Sequence, residues 1–154
     1  MHRRLLKTIS LCLILFPIFS IPSMAEPVSL AELRWQHRLI VAFSADGSED
    51  DVPLRQWVQT NQCRLSDRDV IVLFVNEQGS QAITRESIEL DAASVEALNN
   101  RRQYADESFE ILLIGKDGDV KASSNNPVEL DSFVALIDTM PMRRREAAQS
   151  KSAC

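Results

Sequence analysis

Past residue 26 the chain alternates continuous apolar runs with polar stretches whose apolar positions recur at helical spacing. Leu39-Ile40-Val41-Ala42-Phe43, the segment Asp69 to Val75, and Ile111 to Ile114 lack the alternation of a one-sided strand. Each therefore predicts a strand buried on both faces. Ser29-Leu30-Ala31-Glu32 has the form of a capping box and predicts one or two helical turns ending near Gln36. Pro53 suits the first turn of a helix, where its missing N–H costs nothing, and Leu54, Trp57 and Val58 follow at helical spacing. Gly79 marks a turn, and Ala82 to Leu90 alternates well enough to contain a short edge strand. Asp91 caps a helix predicted to reach about Tyr104, with Val95 and Leu98 on its inner face.

The stretch from Phe109 to Arg145 carries the most information. Asp117-Gly118 after the apolar run is a two-residue hairpin signal, because a primed turn needs positive φ at both central positions. Val120 to Ser123 then returns as a partner strand. Asn126-Pro127-Val128-Glu129 combines a cap, a first-turn proline and an acid near the positive end of the dipole. Leu130, Phe133, Val134, Ile137 and Met140 form the apolar stripe of the last helix, which Pro141 stops or kinks. The order is β-α-β-α-β-β-α. A βαβ crossover followed by a ββα unit predicts an α/β, thioredoxin-like mixed sheet flanked by helices.

The first 25 residues follow other rules. Arg3, Arg4 and Lys7 form a positive start, Ile9 to Ile21 is apolar but too short for a membrane span, and Ser23-Met24-Ala25 offers small residues for cleavage. They read as a cleaved secretory signal, which predicts a periplasmic or secreted protein. The expected organisation is signal 1–25, one thioredoxin-like domain 26–147 and a flexible tail 148–154. Removing the three basic residues takes the formal net charge from −5 to −8. That balance argues against nucleic acid or anionic lipid as the main partner, and no membrane association is expected after cleavage.

Thioredoxin-like enzymes place a reactive cysteine between the first strand and the following helix, where the helix N-terminus favours the thiolate. Here that junction is Ser44-Ala45-Asp46-Gly47-Ser48-Glu49-Asp50-Asp51, acidic and without sulfur. A second hallmark, a cis-proline before the hairpin strand, is replaced by Glu110 when the turn at Lys116-Asp117-Gly118 is aligned. Redox catalysis of the usual type is therefore not expected. Cys63 and Cys154 are the cysteines left after cleavage, and neither spacing nor context decides whether they pair. The rival catalytic reading makes Cys63 the thiol of a one-cysteine peroxidase or reductase, with Arg68 or Arg64 as its cation.

His37 has no second histidine beyond the leader to share a metal, and the acidic loop Asp46 to Asp51 lacks the pattern of an EF-hand. No metal site and no cofactor is expected. Lys116, Asp117 and Lys121 flank the hairpin, while Arg143 and Arg144 follow the last helix between methionines. These five are the candidate binding residues. The arginines have two readings, docking back on the domain or meeting a partner.

Leu113-Ile114-Gly115-Lys116-Asp117-Gly118 with Val120-Lys121, then Leu136-Ile137-Asp138, Met140-Pro141-Met142-Arg143-Arg144 and Glu146, resemble the family catalogued as domain of unknown function 4174. The chain is also similar there to domains of certain vertebrate secreted matrix proteins, such as the one named down-regulated by oncogenes. Trp35, Arg38 and Asp67-Arg68-Asp69 agree more weakly, and the likeness covers about residues 30 to 147. It implies a secreted thioredoxin-like or peroxiredoxin-like fold without an established activity, and supplies no catalytic residue. Where the family prefers a second turn glycine this chain has Asp119, and Ala147 stands where a methionine is common. The expectation is a non-catalytic binding or envelope-associated module with an unknown protein or envelope partner.

Overall fold

The apolar run that begins at Leu39 forms the middle of a five-stranded sheet. In the computed structural model, which describes residues 26–44, 51–76, 79–84, 88–103, 109–126, 130–149 and 154, strand β1 (Arg38–Ser44) pairs in parallel with β2 (Val70–Asn76). On its other side β1 pairs antiparallel with β4 (Phe109–Ile114). Edge strands β3 (Gly79–Ala82) and β5 (Val120–Ser124) add antiparallel, giving the order β3-β2-β1-β4-β5. The β1–β2 crossover is helix α2 (Asp51–Ser66), kinked at Asn61. The remaining helices are α1 (Leu30–Leu33), α3 (Ala92–Asn99), α4 (Leu130–Thr139) and α5 (Pro141–Gln149).

Alternation along the buried strands divides the core in two. Ile40, Ala42, Val72, Ile111 and Leu113 face α2 and α4, meeting Leu54, Val58, Phe133 and Ile137. Leu39, Val41, Phe43, Ile71, Leu73 and Leu112 face the other way, against Leu33 of α1 and Leu98 of α3. This two-sided burial explains why the central strands are unbroken apolar runs.

Several boundaries differ from the pattern. The edge strand lies at Gly79–Ala82, ahead of the alternating stretch, because residues 88–90 run beside it: Ala82 N–H donates to the Ile88 carbonyl and Leu90 N–H to Ser80 Oγ. Helix α3 ends at Asn99, since the Asn100 N–H already closes the last turn on Glu96 and Leu98. The hairpin is not a primed turn. Gly118 has φ +85° and Asp117 does not have positive φ, so Lys116-Asp117-Gly118 is a three-residue loop ending in a left-handed glycine. Asp119 is likewise not in the left-handed region, so the replaced glycine brings no strain there. Pro141 ends α4 by opening α5, whose first turn tolerates it. The leader 1–25, the acidic positions 46–50, Pro127 to Glu129 and tail residues 150–153 lie outside the described residues.

Candidate functional site

The two ends of the sheet carry different chemistry. At one end are Ser44, Asp51 at the head of α2, and the start of β4. Asp51 brings a carboxylate to the first turn of α2, where the helix dipole favours it. Glu110 is fully buried, its carboxylate accepting from Arg102 Nε at 3.2 Å and from the Gln103 N–H at 2.7 Å. The Arg102 guanidinium lies 5.1 Å from the Phe43 ring centroid. A charge pair thus occupies the sheet next to where a thioredoxin-like enzyme works. No cis peptide occurs among the described residues.

At the opposite end, four basic and four acidic side chains close α5 onto the sheet. Arg38, only 1% exposed at the first residue of β1, donates from Nη1 to the Arg68 carbonyl at 2.7 Å and to Glu146 at 3.0 Å. Lys116 Nζ reaches Asp69 at 2.6 Å and Glu146 at 2.8 Å. Arg68 grips Asp138 with two parallel bonds of 2.8 and 2.9 Å. Arg143 donates to the Asp67 carbonyl at 2.7 Å and to the Asp67 carboxylate. Arg68 holds the Asp138 carboxyl below its ordinary 3.8 against the opposing pull of desolvation. For Glu146 burial pulls upward, but the bonds from Lys116 and Arg38 outweigh it and leave the group below 4.5. The set balances four charges against four, so it works as a latch and not as an anion receptor.

The structure therefore separates the five candidate binding residues. Lys116 and Arg143 belong to the latch, with side chains 9% and 7% exposed. Asp117 and Lys121 pair with each other at 2.6 Å on the hairpin surface. Burial pulls the Asp117 carboxyl upward, but Lys121 and the Asp119 N–H hold it below 3.8, while Asp117 raises Lys121 above 10.5. Arg144 is exposed.

Cys63 lies on the exposed side of α2, and its sulfur is bonded to that of Cys154, with Cα atoms 5.9 Å apart. The two cations proposed for a Cys63 thiolate are engaged elsewhere, Arg64 with Asp131 at 2.9 Å and Arg68 with Asp138. His37, Ser66 and Asp69 line one cavity of about 130 Å³ beside the first residues of β2, Val70 and Ile71. They do not form a relay: the Asp69 carboxylate is held by Lys116, and no hydrogen bond joins the three side chains among the described residues. No group of three metal-binding side chains occurs among the described residues either.

Pattern reading named Arg38 and Glu110 but foresaw neither their burial nor their partners, and it placed no function on Trp35. Trp35 is 60% exposed with φ +67°, and its N–H donates to the Lys116 carbonyl at 2.6 Å. The positive φ leaves no signature in composition.

The chain belongs to the family of domain of unknown function DUF4174, whose profile matches residues 29–146. It is 31% identical over 140 residues to coiled-coil domain-containing protein 80 of Danio rerio. That match covers 80% of this chain and 16% of the relative's length. Among solved structures it is similar to thioredoxin peroxidase I of Plasmodium yoelii, with TM-score 0.52, 15% identity and coverage of 82% and 83% of the two chains. It is also similar to reduced 2-Cys peroxiredoxin of Plasmodium vivax, with TM-score 0.51, 13% identity and coverage of 75% and 72%. The fold is thioredoxin-like.

Proposed function

We propose that this member of the DUF4174 family is an exported thioredoxin-like binding module that does not catalyse redox chemistry. One observation carries the reading. The fold puts its reactive position at the head of the helix after the first strand, and here the sulfur sits at Cys63, near the other end of α2. Cys63 follows Asp51 by twelve positions along the helix, a rise of roughly 18 Å at 1.5 Å per residue. A thiol near a helix C-terminus meets the negative end of the dipole, which opposes the thiolate instead of favouring it. The composition of residues 1–25 supports export, and a disulfide agrees with an oxidising compartment.

The test is turnover. Reduced protein, supplied with hydrogen peroxide and a dithiol donor, is expected to consume no more peroxide than its Cys63→Ser variant. Sustained, Cys63-dependent consumption overturns the reading. It would favour the rival thiol peroxidase, in which the Cys63 thiolate attacks peroxide to give a sulfenic acid and water. A second thiol then condenses on that sulfenic acid, releasing another water.

A further inference from the structure

We infer that the surface around Gly118 docks an acidic peptide segment of a partner protein, with Trp35 as its apolar anchor and Arg34 and Arg101 as receptors for its carboxylates. The inference rests on the binding-module reading above and names its surface. Three segments converge there. The Trp35 N–H is bonded to the Lys116 carbonyl at 2.6 Å, Arg101 Nη1 donates to the Gly118 carbonyl at 2.8 Å, and the Arg34 stem lies over Gly118. A Cβ built on Gly118 would stand 3.5 Å from Arg34 Nε. Both guanidinium groups are therefore gathered at one turn.

Trp35 has no structural reason to be large. A left-handed backbone costs a bulky residue roughly 1–2 kcal/mol, which glycine avoids. The ring does not recover that cost by burial, being 60% exposed. Its contact is with Arg34, whose guanidinium sits 5.3 Å from the ring centroid and keeps the indole in place. Strained backbone at an exposed aromatic is a feature of recognition surfaces, and tryptophan and arginine dominate their energetics.

Charge selects the occupant. The chain carries 22 acidic against 17 basic residues, and Arg38, Arg64, Arg68, Arg102 and Arg143 each have a carboxylate partner. Arg34 and Arg101, both exposed and both touching Gly118, have no carboxylate within ion-pair reach among the described residues. An arginine fork matches a carboxylate in two parallel bonds, and the ring beside it accepts an apolar side chain. A long polyanion fits less well. Lys116 and Lys121 are already neutralised by Asp69, Glu146, Asp117 and Asp119, and the chain as a whole carries a formal net charge of −5.

The test is selection of a phage-displayed dodecapeptide library on the oxidised full-length protein, followed by titration of the enriched peptides and of heparin. The expected result is enrichment of peptides mixing Asp or Glu with apolar residues. Their binding is expected to weaken about tenfold or more in Trp35→Gly and in the Arg34→Gln/Arg101→Gln double variant. Trp35→Phe should retain most of it. Trp35→Gly suits the backbone, so loss of binding there cannot be assigned to misfolding. No enrichment, enrichment of basic or neutral peptides, or binding indifferent to these residues overturns the inference. So does heparin binding more tightly through the same residues, which would make the surface a polysaccharide site. Peroxide turnover of the same preparation separates the two claims, since only Cys63-dependent turnover removes the module reading itself.

Discussion

Arg143 and Arg144 are neighbours in sequence, yet the structure gives them opposite roles, which makes their alanine variants a sharp test. The Arg143 side chain is 7% exposed and its partner Asp67 is 9% exposed, so truncating the arginine strands a buried carboxylate. Among the described residues, Arg68 at 3.5 Å is then the one cation left beside that carboxylate. Breaking a buried pair from one side costs about 3–5 kcal/mol. For a domain of this size that corresponds to a fall in Tm of roughly 10–20 °C. Arg144 is exposed, and its alanine variant should stay within about 0.5 kcal/mol of the parent. Urea melts followed by circular dichroism read both. Because that loss is a large share of a typical stability of about 5–15 kcal/mol, the pair is also measured as a cycle of Arg143→Met and Asp67→Asn. The double variant should lose about 1–3 kcal/mol less than the sum of the singles. Equal effects of Arg143→Ala and Arg144→Ala, or strictly additive losses in the cycle, would refute the latch.

Acid should weaken the same latch. Asp138 and Glu146 are held below their ordinary values of 3.8 and 4.5, so their contribution is fully present above pH 4.5. It is lost as pH falls through the lower folded values, and an unchanged urea midpoint from pH 6 to pH 3 would contradict this. The Cys63–Cys154 bond closes a loop of sequence separation 91, which the chain-entropy model values at about 4–5 kcal/mol as an upper figure. A dithiol should therefore lower the urea midpoint, and Cys63→Ser should show the same drop with no further response to dithiol. Trp35→Gly removes left-handed strain and should leave stability equal or raised by up to about 1 kcal/mol; a loss larger than that would show the ring to be structural. Expression with export should yield a mature chain beginning at Glu26, read by intact mass; retention of residues 1–25 would contradict the secretory reading.

The central strands were legible because burial on both faces writes an unbroken apolar run, as at Leu39 to Phe43. Strand β3 was not, since Gly79-Ser80-Gln81-Ala82 has neither apolar bias nor alternation and is set by its neighbour β2. Helix α5 was hidden for a different reason: Pro141 is equally a stop for one helix and a first residue for the next. The latch was partly visible as charged residues grouped at Asp67-Arg68-Asp69, Lys116 and Arg143. Its pairing was not, because the partners are joined only when β1, the hairpin and α5 meet at one end of the sheet. The burial and pairing of Arg38 and Glu110 leave no trace in the pattern. A charged residue in a strand reads as a solvent-facing position unless its partner is known, and those partners, Glu146 and Arg102, are named only by the fold.

The claim that this thioredoxin-like domain binds and does not catalyse is tested most directly at its sulfur. The second-order rate of Cys63 with hydrogen peroxide should be measured in the reduced Cys154→Ser variant by trapping the sulfenic acid. A rate no faster than that of free cysteine is the predicted result; a rate orders of magnitude faster would make Cys63 an activated nucleophile and contradict the account.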